Sequence, residues 1–342
     1  MKVRTLLAGF AVVALFGACE RDVTYVENED QASTLGNCFN CHSDEDQKLV
    51  AAEQQYFYSV HASGTAVSEP DDPCSGCHTS EGFIERVETG TMPDTVENPT
   101  AINCFTCHAP HTTGTLATRI QDPVPFANGA VFNHHGGNLC TACHQARRNV
   151  DTYVTTANER VTLSRRWGPH HSPQGDLLTG TNGYEYEDFD YQQTGHKSAT
   201  KDGCLDCHFR VTENLRVGGH SFNMAYDDFN TAACEGCHAT IGDDFDYRRY
   251  QTTTDSLATE LRTRLVAGGL WSDANDEPRA VTTSSDSAGA VWNYLMAVED
   301  RSRGVHNPKY IQGLLQSGIA FMDGALAAPV AGRKEEVPGG SR

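Results

Sequence analysis

Apolar side chains recur at helical spacing in the last third of the chain. Leu257, Leu261 and Leu265 lie four residues apart and predict a helix over residues 256–270. Similar patterns predict a helix over residues 288–298 and another that begins at Asn307-Pro308, where a capping residue precedes a proline at the first helical position. We therefore expect a helical section over residues 251–330.

The rest of the chain has a weaker pattern. One more helix is predicted over residues 44–61, where apolar residues recur at three- and four-residue steps. Residues 69–140 are rich in Gly, Pro, Thr and Asn, which predicts loops and single turns. The expected fold is mainly α, with extensive irregular loops and little or no β-sheet.

A five-residue motif, C-x-x-C-H, occurs six times along this chain. It is the attachment signature of a c-type haem, in which two thiols bind the two vinyl groups of one porphyrin and the histidine ligates the iron. We therefore expect six covalent haems c. The attaching thiols are Cys38, Cys41, Cys74, Cys77, Cys104, Cys107, Cys140, Cys143, Cys204, Cys207, Cys234 and Cys237. The proximal ligands are His42, His78, His108, His144, His208 and His238.

Zinc sites and disulfides are the alternatives for these cysteines. A bare C-x-x-C could be half a zinc site or a redox dithiol. Zinc sites would use the motifs in pairs, with both Cys and His as ligands. A disulfide framework would not place His after every second Cys. Six copies with His always in fifth place favour haem.

Composition indicates that cofactors build much of the core. The apolar fraction of 38% is modest, and long irregular connections are expected when porphyrins replace side chains in the interior. We expect one hexahaem domain over residues 37–330 and a disordered tail over residues 331–342. The formal charge of −19 makes nucleic acid a poor partner.

The N-terminus predicts export. Residues 1–18 combine a basic start with a short apolar run, as in a signal peptide, and residues 19–36 form an acidic tether. Leu15-Phe16-Gly17-Ala18-Cys19 resembles a bacterial lipoprotein box, which implies lipidation of Cys19. The alternative is ordinary cleavage nearby that leaves a free thiol. Because no later stretch has the roughly twenty apolar residues of a spanning helix, membrane attachment would be by the lipid anchor only.

Nine histidines lie outside the motifs, so two histidine ligands per iron are available for all six haems. Only five methionines are present, which favours bis-His haems of low potential. Adjacent histidines counted once give seven clusters, so at least one is spare. The predicted distal ligands are His61, His111, His171, His196, His220 and His306, while the choice among His134, His135, His170 and His171 stays open.

The motifs, the lipoprotein box and the spare histidines together resemble the multihaem c-type cytochromes that metal-respiring bacteria place on the outer membrane or outside the cell. The segment from Ala290 to Leu315, which contains Trp292-Asn293-Tyr294 and Gly304-Val305-His306-Asn307-Pro308, is similar to the C-terminal helices of the pentahaem nitrite reductases. In those proteins a His before Asn-Pro is a distal haem ligand, which implies this role for His306. They also carry a C-x-x-C-K catalytic haem, and no motif here ends in lysine.

Two functions from different classes follow from these features. We expect an electron-transfer protein rather than an enzyme, passing electrons between haems in the cell envelope or outside the cell. Its partners would be redox cytochromes or an extracellular acceptor such as a metal oxide. The alternative is an oxidoreductase that acts on a small nitrogen or sulfur oxyanion at one open haem, with His134 or His170 as proton donor. A third hypothesis is a filament in which a spare histidine ligates a neighbour's haem.

Overall fold

The computed structural model describes residues 46–63, 68–154, 160–227, 229–239, 241–242 and 244–324. Several predictions lie outside these residues: the signal peptide, Cys19 and the tether, the first motif at residues 38–42, and the tail at residues 331–342. Among the residues described, no helix combines the length and the apolarity needed to cross a membrane.

Short helices dominate the first two thirds of the chain and three long helices the last third. They are α1 Gln47–Phe57, α2 Val60–Ser63, α3 Ser75–His78, α4 Ser80–Thr89, α5 Cys104–Cys107, α6 Pro110–Thr113, α7 Asn138–Thr141, α8 Val150–Tyr153, α9 Gln174–Thr179, α10 His196–Ala199, α11 Cys204–His208, α12 Tyr250–Ala267, α13 Ser285–Glu299 and α14 Pro308–Met322. Single 3₁₀ turns lie at His135–Gly137, Gly219–Ser221, Thr231–Ala233 and Tyr247–Arg249.

The strands are two or three residues long and form antiparallel pairs. They are β1 Val124–Pro125, β2 Val131–Phe132, β3 Arg160–Thr162, β4 Trp271–Ser272, β5 Glu277–Pro278 and β6 Thr282–Ser284. The pairs are β1 with β2, β3 with β6 and β4 with β5. The predicted fold class is therefore confirmed: the chain is mainly helical, with long irregular connections and little sheet.

The last three helices pack against one another around a dense apolar core. Trp292 of α13, Tyr310 of α14 and Leu261 of α12 are fully buried there. Trp167 and Leu177, from the motif-free stretch of residues 145–203, complete the same core. The Oγ of Ser284 caps α13 by accepting the N–H of Ser287 at 3.1 Å. Helix α12 begins six residues before the predicted start.

Two details of the predicted helices were wrong. Asn307 is the N-cap residue of α14 and Pro308 begins the helix, as predicted, but the Asn307 side chain makes no capping hydrogen bond: its Oδ1 accepts instead from the backbone N–H and the hydroxyl of Thr194, at 3.0 and 2.9 Å. Helix α4 lies where only loops and single turns were expected. Thr79 caps it by accepting the N–H of Gly82 at 3.0 Å, and Gly90, at φ 77°, ends it.

Candidate haem-binding site

The described C-x-x-C-H motifs form tight helical turns in the structure. In four of the five described copies, the histidine N–H donates to the carbonyl of the first cysteine at 2.8 to 3.1 Å. The fifth copy, Cys204–His208, is itself helix α11. Because each motif forms one helical turn, both thiols and the imidazole lie on one local surface, which is the arrangement that haem attachment needs.

Each of the five described motif histidines faces a second histidine from elsewhere in the chain. The ring centroids are 6.1 Å apart for His78 and His170, 6.4 Å for His108 and His220, 6.0 Å for His144 and His61, 6.2 Å for His208 and His306, and 6.0 Å for His238 and His196.

These separations fit one metal ion between two imidazoles. A ligating nitrogen lies roughly 2 Å from the metal and the ring centroid roughly 1 Å beyond it, so two rings on one metal have centroids roughly 6 Å apart. The donor set therefore suits six-coordinate haem iron, with two thiols beside each pair for covalent attachment. When bound, such haems supply one-electron redox chemistry.

Hydrogen bonds orient several of these rings by engaging Nδ1 and leaving Nε2 for a metal. The Nδ1 partners are Ala117 O at 3.4 Å for His108, Gln174 Oε1 at 3.2 Å for His144, Val305 O at 2.8 Å for His196, Phe222 O at 2.9 Å for His208 and Asp300 Oδ1 at 2.5 Å for His306. Four partners are neutral, and one is a carboxylate.

Burial keeps most of these rings neutral, which is the form that ligates a metal. Burial first, and then the charge of His144, lowers the pKa of His61 to about 4. Burial also lowers the pKa values of His144 and His208. His306 differs: burial works to lower its pKa, but the charge of Asp300 and the hydrogen bond to it raise the pKa overall.

The structure brings together four of the six predicted distal ligands with motif histidines: His61, His196, His220 and His306. For the motif of His78 it places His170, rather than the predicted His171, opposite the motif ring. His170 has φ 82°, and the exposed His171, whose ring centroid is 4.9 Å from that of His170, pairs with Glu299 at 2.7 Å instead. We therefore replace His171 by His170 in the proposed ligand set.

The remaining histidines face no described motif histidine. His111 is exposed, with its ring 5.7 Å from that of Phe105. His134 holds its Nδ1 3.1 Å from the carbonyl oxygen of Thr200. His135 begins a 3₁₀ turn and is exposed. His42, the proximal histidine of the first motif, lies outside the described residues, so the assignment of His111 stays a prediction.

The five described motifs form one continuous cluster. The thiols of Cys77 and Cys143 are neighbours, as are those of Cys140 and Cys204. The thiol of Cys107 lies near that of Cys140, and the thiol of Cys207 lies near those of Cys234 and Cys237 in the sixth motif. The motifs therefore run in the order second, fourth, fifth and sixth, with the third beside the fourth.

Phe222 lies where three of the ligand pairs meet. Its ring centroid is 5.7 Å from that of His61 and 6.2 Å from that of His220, and its carbonyl accepts the Nδ1 bond of His208. Its backbone has φ 56°, a left-handed conformation that is rare for a bulky residue. Sequence reasoning missed Phe222, Gln174 and Asp300, because motif spacing carries no information about contacts distant in the chain.

Comparisons with known proteins place the fold. No protein-family model and no curated protein sequence matches the chain. The crystal structure of the outer cell wall cytochrome OcwA is similar, with a TM-score of 0.52 and 20% identity over 78% of this chain and 49% of that one. An undecahaem cytochrome from the S-layer of Carboxydothermus ferrireducens gives a TM-score of 0.47 and 15% identity over 80% and 41% of the two chains. The chain thus shares its fold with a known cytochrome and spans about half of that protein's length.

Proposed function

We propose that this chain is a hexahaem c-type cytochrome that passes electrons from haem to haem. The observation that carries the proposal is the facing of each described motif histidine by a second histidine at 6.0 to 6.4 Å. Two imidazoles that hold one haem iron would leave it no coordination site for a substrate. An electron carrier needs none.

The continuity of the motifs supports transfer along the chain. Neighbouring motifs are close enough for their thiols or ligand rings to interact, from the second motif to the sixth. Electrons would then move from the second motif to the fourth, fifth and sixth in short steps, and Phe222 would stand at the branch to the third.

The terminal partners would lie outside the cytoplasm. Haem attachment to these motifs requires export, which the basic and apolar residues 1–18 would direct, and lipidated Cys19 would hold the protein at the outer membrane, on its periplasmic face or at the cell surface. The formal charge of −19 favours cationic partners. We propose a partner cytochrome as donor, and an extracellular metal oxide or a second cytochrome as acceptor.

Anaerobic mixing of the fully reduced holoprotein with soluble ferric iron tests the carrier role. The expected result is reoxidation of every haem, with one electron delivered per haem. With nitrite or hydroxylamine and excess reductant, the protein should give no sustained turnover. Steady consumption of either compound would contradict the proposal and favour an oxidoreductase with one open haem.

The adjacent histidines His170 and His171 offer a matched test of ligand assignment. His170→Ala removes a proposed axial ligand and should convert one haem from low spin to high spin, seen by electron paramagnetic resonance. His171→Ala removes an exposed ring bound to Glu299 and should leave all haems low spin. The reverse result would return His171 to the ligand set.

A further inference from the structure

The loop between α13 and α14, residues 300–307, carries a buried carboxylate. The side chain of Asp300 is 0% exposed, and its Oδ1 lies 2.5 Å from Nδ1 of His306. Its other oxygen accepts the hydroxyl of Ser302, and that hydroxyl in turn accepts the N–H of His306 at 3.3 Å. The carboxylate is therefore held in place by the residues between it and the imidazole.

This carboxylate distinguishes His306 from the other ligand rings whose Nδ1 contact is described. Those rings meet backbone carbonyls or the amide of Gln174, all of them neutral. The same loop provides the nearest comparison, because Val305 offers its carbonyl to His196 at 2.8 Å. One loop thus provides the Nδ1 acceptors at two consecutive motifs. The acceptor at the fifth motif is charged, and the acceptor at the sixth is neutral.

We propose that Asp300 is a positioning residue that lowers the reduction potential at the fifth motif, Cys204–His208. This inference rests on the proposed function, because it needs His208 and His306 to ligate one iron. A buried negative charge stabilises the oxidised iron, which carries one more positive charge than the reduced form. The hydrogen bond to Nδ1 also raises the basicity of the ligating nitrogen, which favours the same oxidation state.

The redox step involves one electron and no proton. In both oxidation states the proton stays on Nδ1 of His306, and this N–H donates a hydrogen bond to Asp300. The electron arrives from a neighbouring haem or a redox partner and leaves by the same route, and no bond forms or breaks. Because the fifth motif lies between the fourth and the sixth, a low potential there would impede electrons that pass between these two.

Asp300→Asn in the holoprotein tests the inference, since asparagine keeps an oxygen acceptor for Nδ1 and removes the charge. Spectroelectrochemical titration should show one haem shifted to higher potential, with its oxidised-to-reduced equilibrium constant changed about tenfold, equivalent to about 59 mV for one electron. Glu299→Gln is the matched control, because Glu299 is the adjacent acid and contacts the exposed His171. The control should shift no haem by a comparable amount.

Ser302→Ala supplies a second variant with the opposite sign. Without the Ser302 hydroxyl, Asp300 concentrates more negative charge on His306, so one haem should shift to lower potential. A full set of low-spin haems with unchanged potentials in both variants would overturn the inference and leave the proposed function intact. A wild-type protein without covalent haem would instead overturn the proposed function itself. If Asp300→Asn fails to assemble, the Ser302→Ala shift alone decides, and its absence refutes the inference.

Discussion

Two regions of this protein are held together by different means. Among the described residues, the motif-bearing region, residues 46–239, has only a small apolar cluster of its own, Phe126, Phe132 and Leu178, and it adds side chains such as Trp167 and Leu177 to the core of the helical section. The C-terminal helical section, residues 250–322, contributes most of a core of 22 buried residues. A chain with a modest apolar fraction thus concentrates its apolar packing where no motif lies. Elsewhere, attached porphyrins would have to supply the interior.

The helical section also orients ligands in the other region. Gln174 links the two: its Nε2 donates to the carbonyls of Glu299 and Asp300 at 3.1 and 3.3 Å, while its Oε1 lies 3.2 Å from Nδ1 of His144. The end of α13 and the following loop therefore contact three ligand pairs. They contact one through Gln174, one through the carbonyl of Val305, and one through His306, which is itself a member of its pair. A rigid, motif-free core is therefore placed where it can fix imidazole geometry.

The largest expected effect is on the motif-bearing region, when one central haem is lost. Replacing Cys140 and Cys143 by alanine removes the attachment site at the fourth motif, beside the second, third and fifth. We expect proteolysis within residues 46–239 to become at least about tenfold faster, because local opening exposes an interior with few apolar contacts. Fragments separated by mass spectrometry would locate the cuts.

The same double substitution at Cys234 and Cys237 is the control for haem loss, because this motif lies at the end of the order and is more exposed. It should accelerate proteolysis much less. Equal acceleration in both variants, or cuts mainly within α12 to α14, would contradict the distinction between the two regions.

Trp292→Ala tests the apolar core of the helical section. Trp292 is fully buried and donates its indole N–H to the carbonyl of Asn182 at 2.7 Å. The free energy of unfolding should fall by about 3–5 kcal/mol, because a large cavity replaces the ring. Denaturant unfolding followed by far-ultraviolet circular dichroism measures this fall.

Val298→Ala on the same helix is the matched control for Trp292→Ala. Val298 is 37% exposed, and its truncation should change the free energy of unfolding by less than about 0.5 kcal/mol. Similar losses in the two variants would show that α13 is not the centre of a packed core.

Asp176 gives the smallest predicted effect, at the junction of the two regions. It is 0% exposed, and burial raises its pKa to about 6 against the hydrogen bonds from the N–H of Ala146 and the amide of Asn182. Because its folded-state pKa lies above the unfolded value of 3.8, the stability that protonated Asp176 contributes is present below about pH 4 and lost as pH rises through about 6.

Comparison with Asp176→Asn isolates this pH dependence. The free energy of unfolding of the wild type, relative to the variant, should fall by about 2 kcal/mol between pH 4 and 7, from a shift of about two pKa units. Urea titrations at several pH values would show it. A difference that stays constant with pH would mean that Asp176 titrates normally.

The sequence predicted the elements with strong local signals. The three C-terminal helices follow from apolar periodicity, with α14 starting at Pro308 as expected and α12 starting six residues early. Helix α4 was missed because few of its residues are apolar and its caps, Thr79 and Gly90, stand in a segment full of similar residues.

The ligand contacts were harder to predict because they join distant parts of the chain. Histidine counting selected His61 and His306, but it could not separate His170 from His171, since the two are adjacent in the sequence and only the folded chain shows which ring faces His78. Asp300 lies only six residues before His306, yet nothing in the sequence marks it as a partner. Its role depends on how the loop folds back on itself.

Electron paramagnetic resonance of the fully oxidised holoprotein tests most directly the claim that paired imidazoles fill the axial positions of the irons. Facing rings at 6.0 to 6.4 Å in all five described motifs predict low-spin signals from these haems. The account predicts a wholly low-spin spectrum that nitrite and hydroxylamine leave unchanged. A high-spin signal that shifts when either compound is added would contradict it.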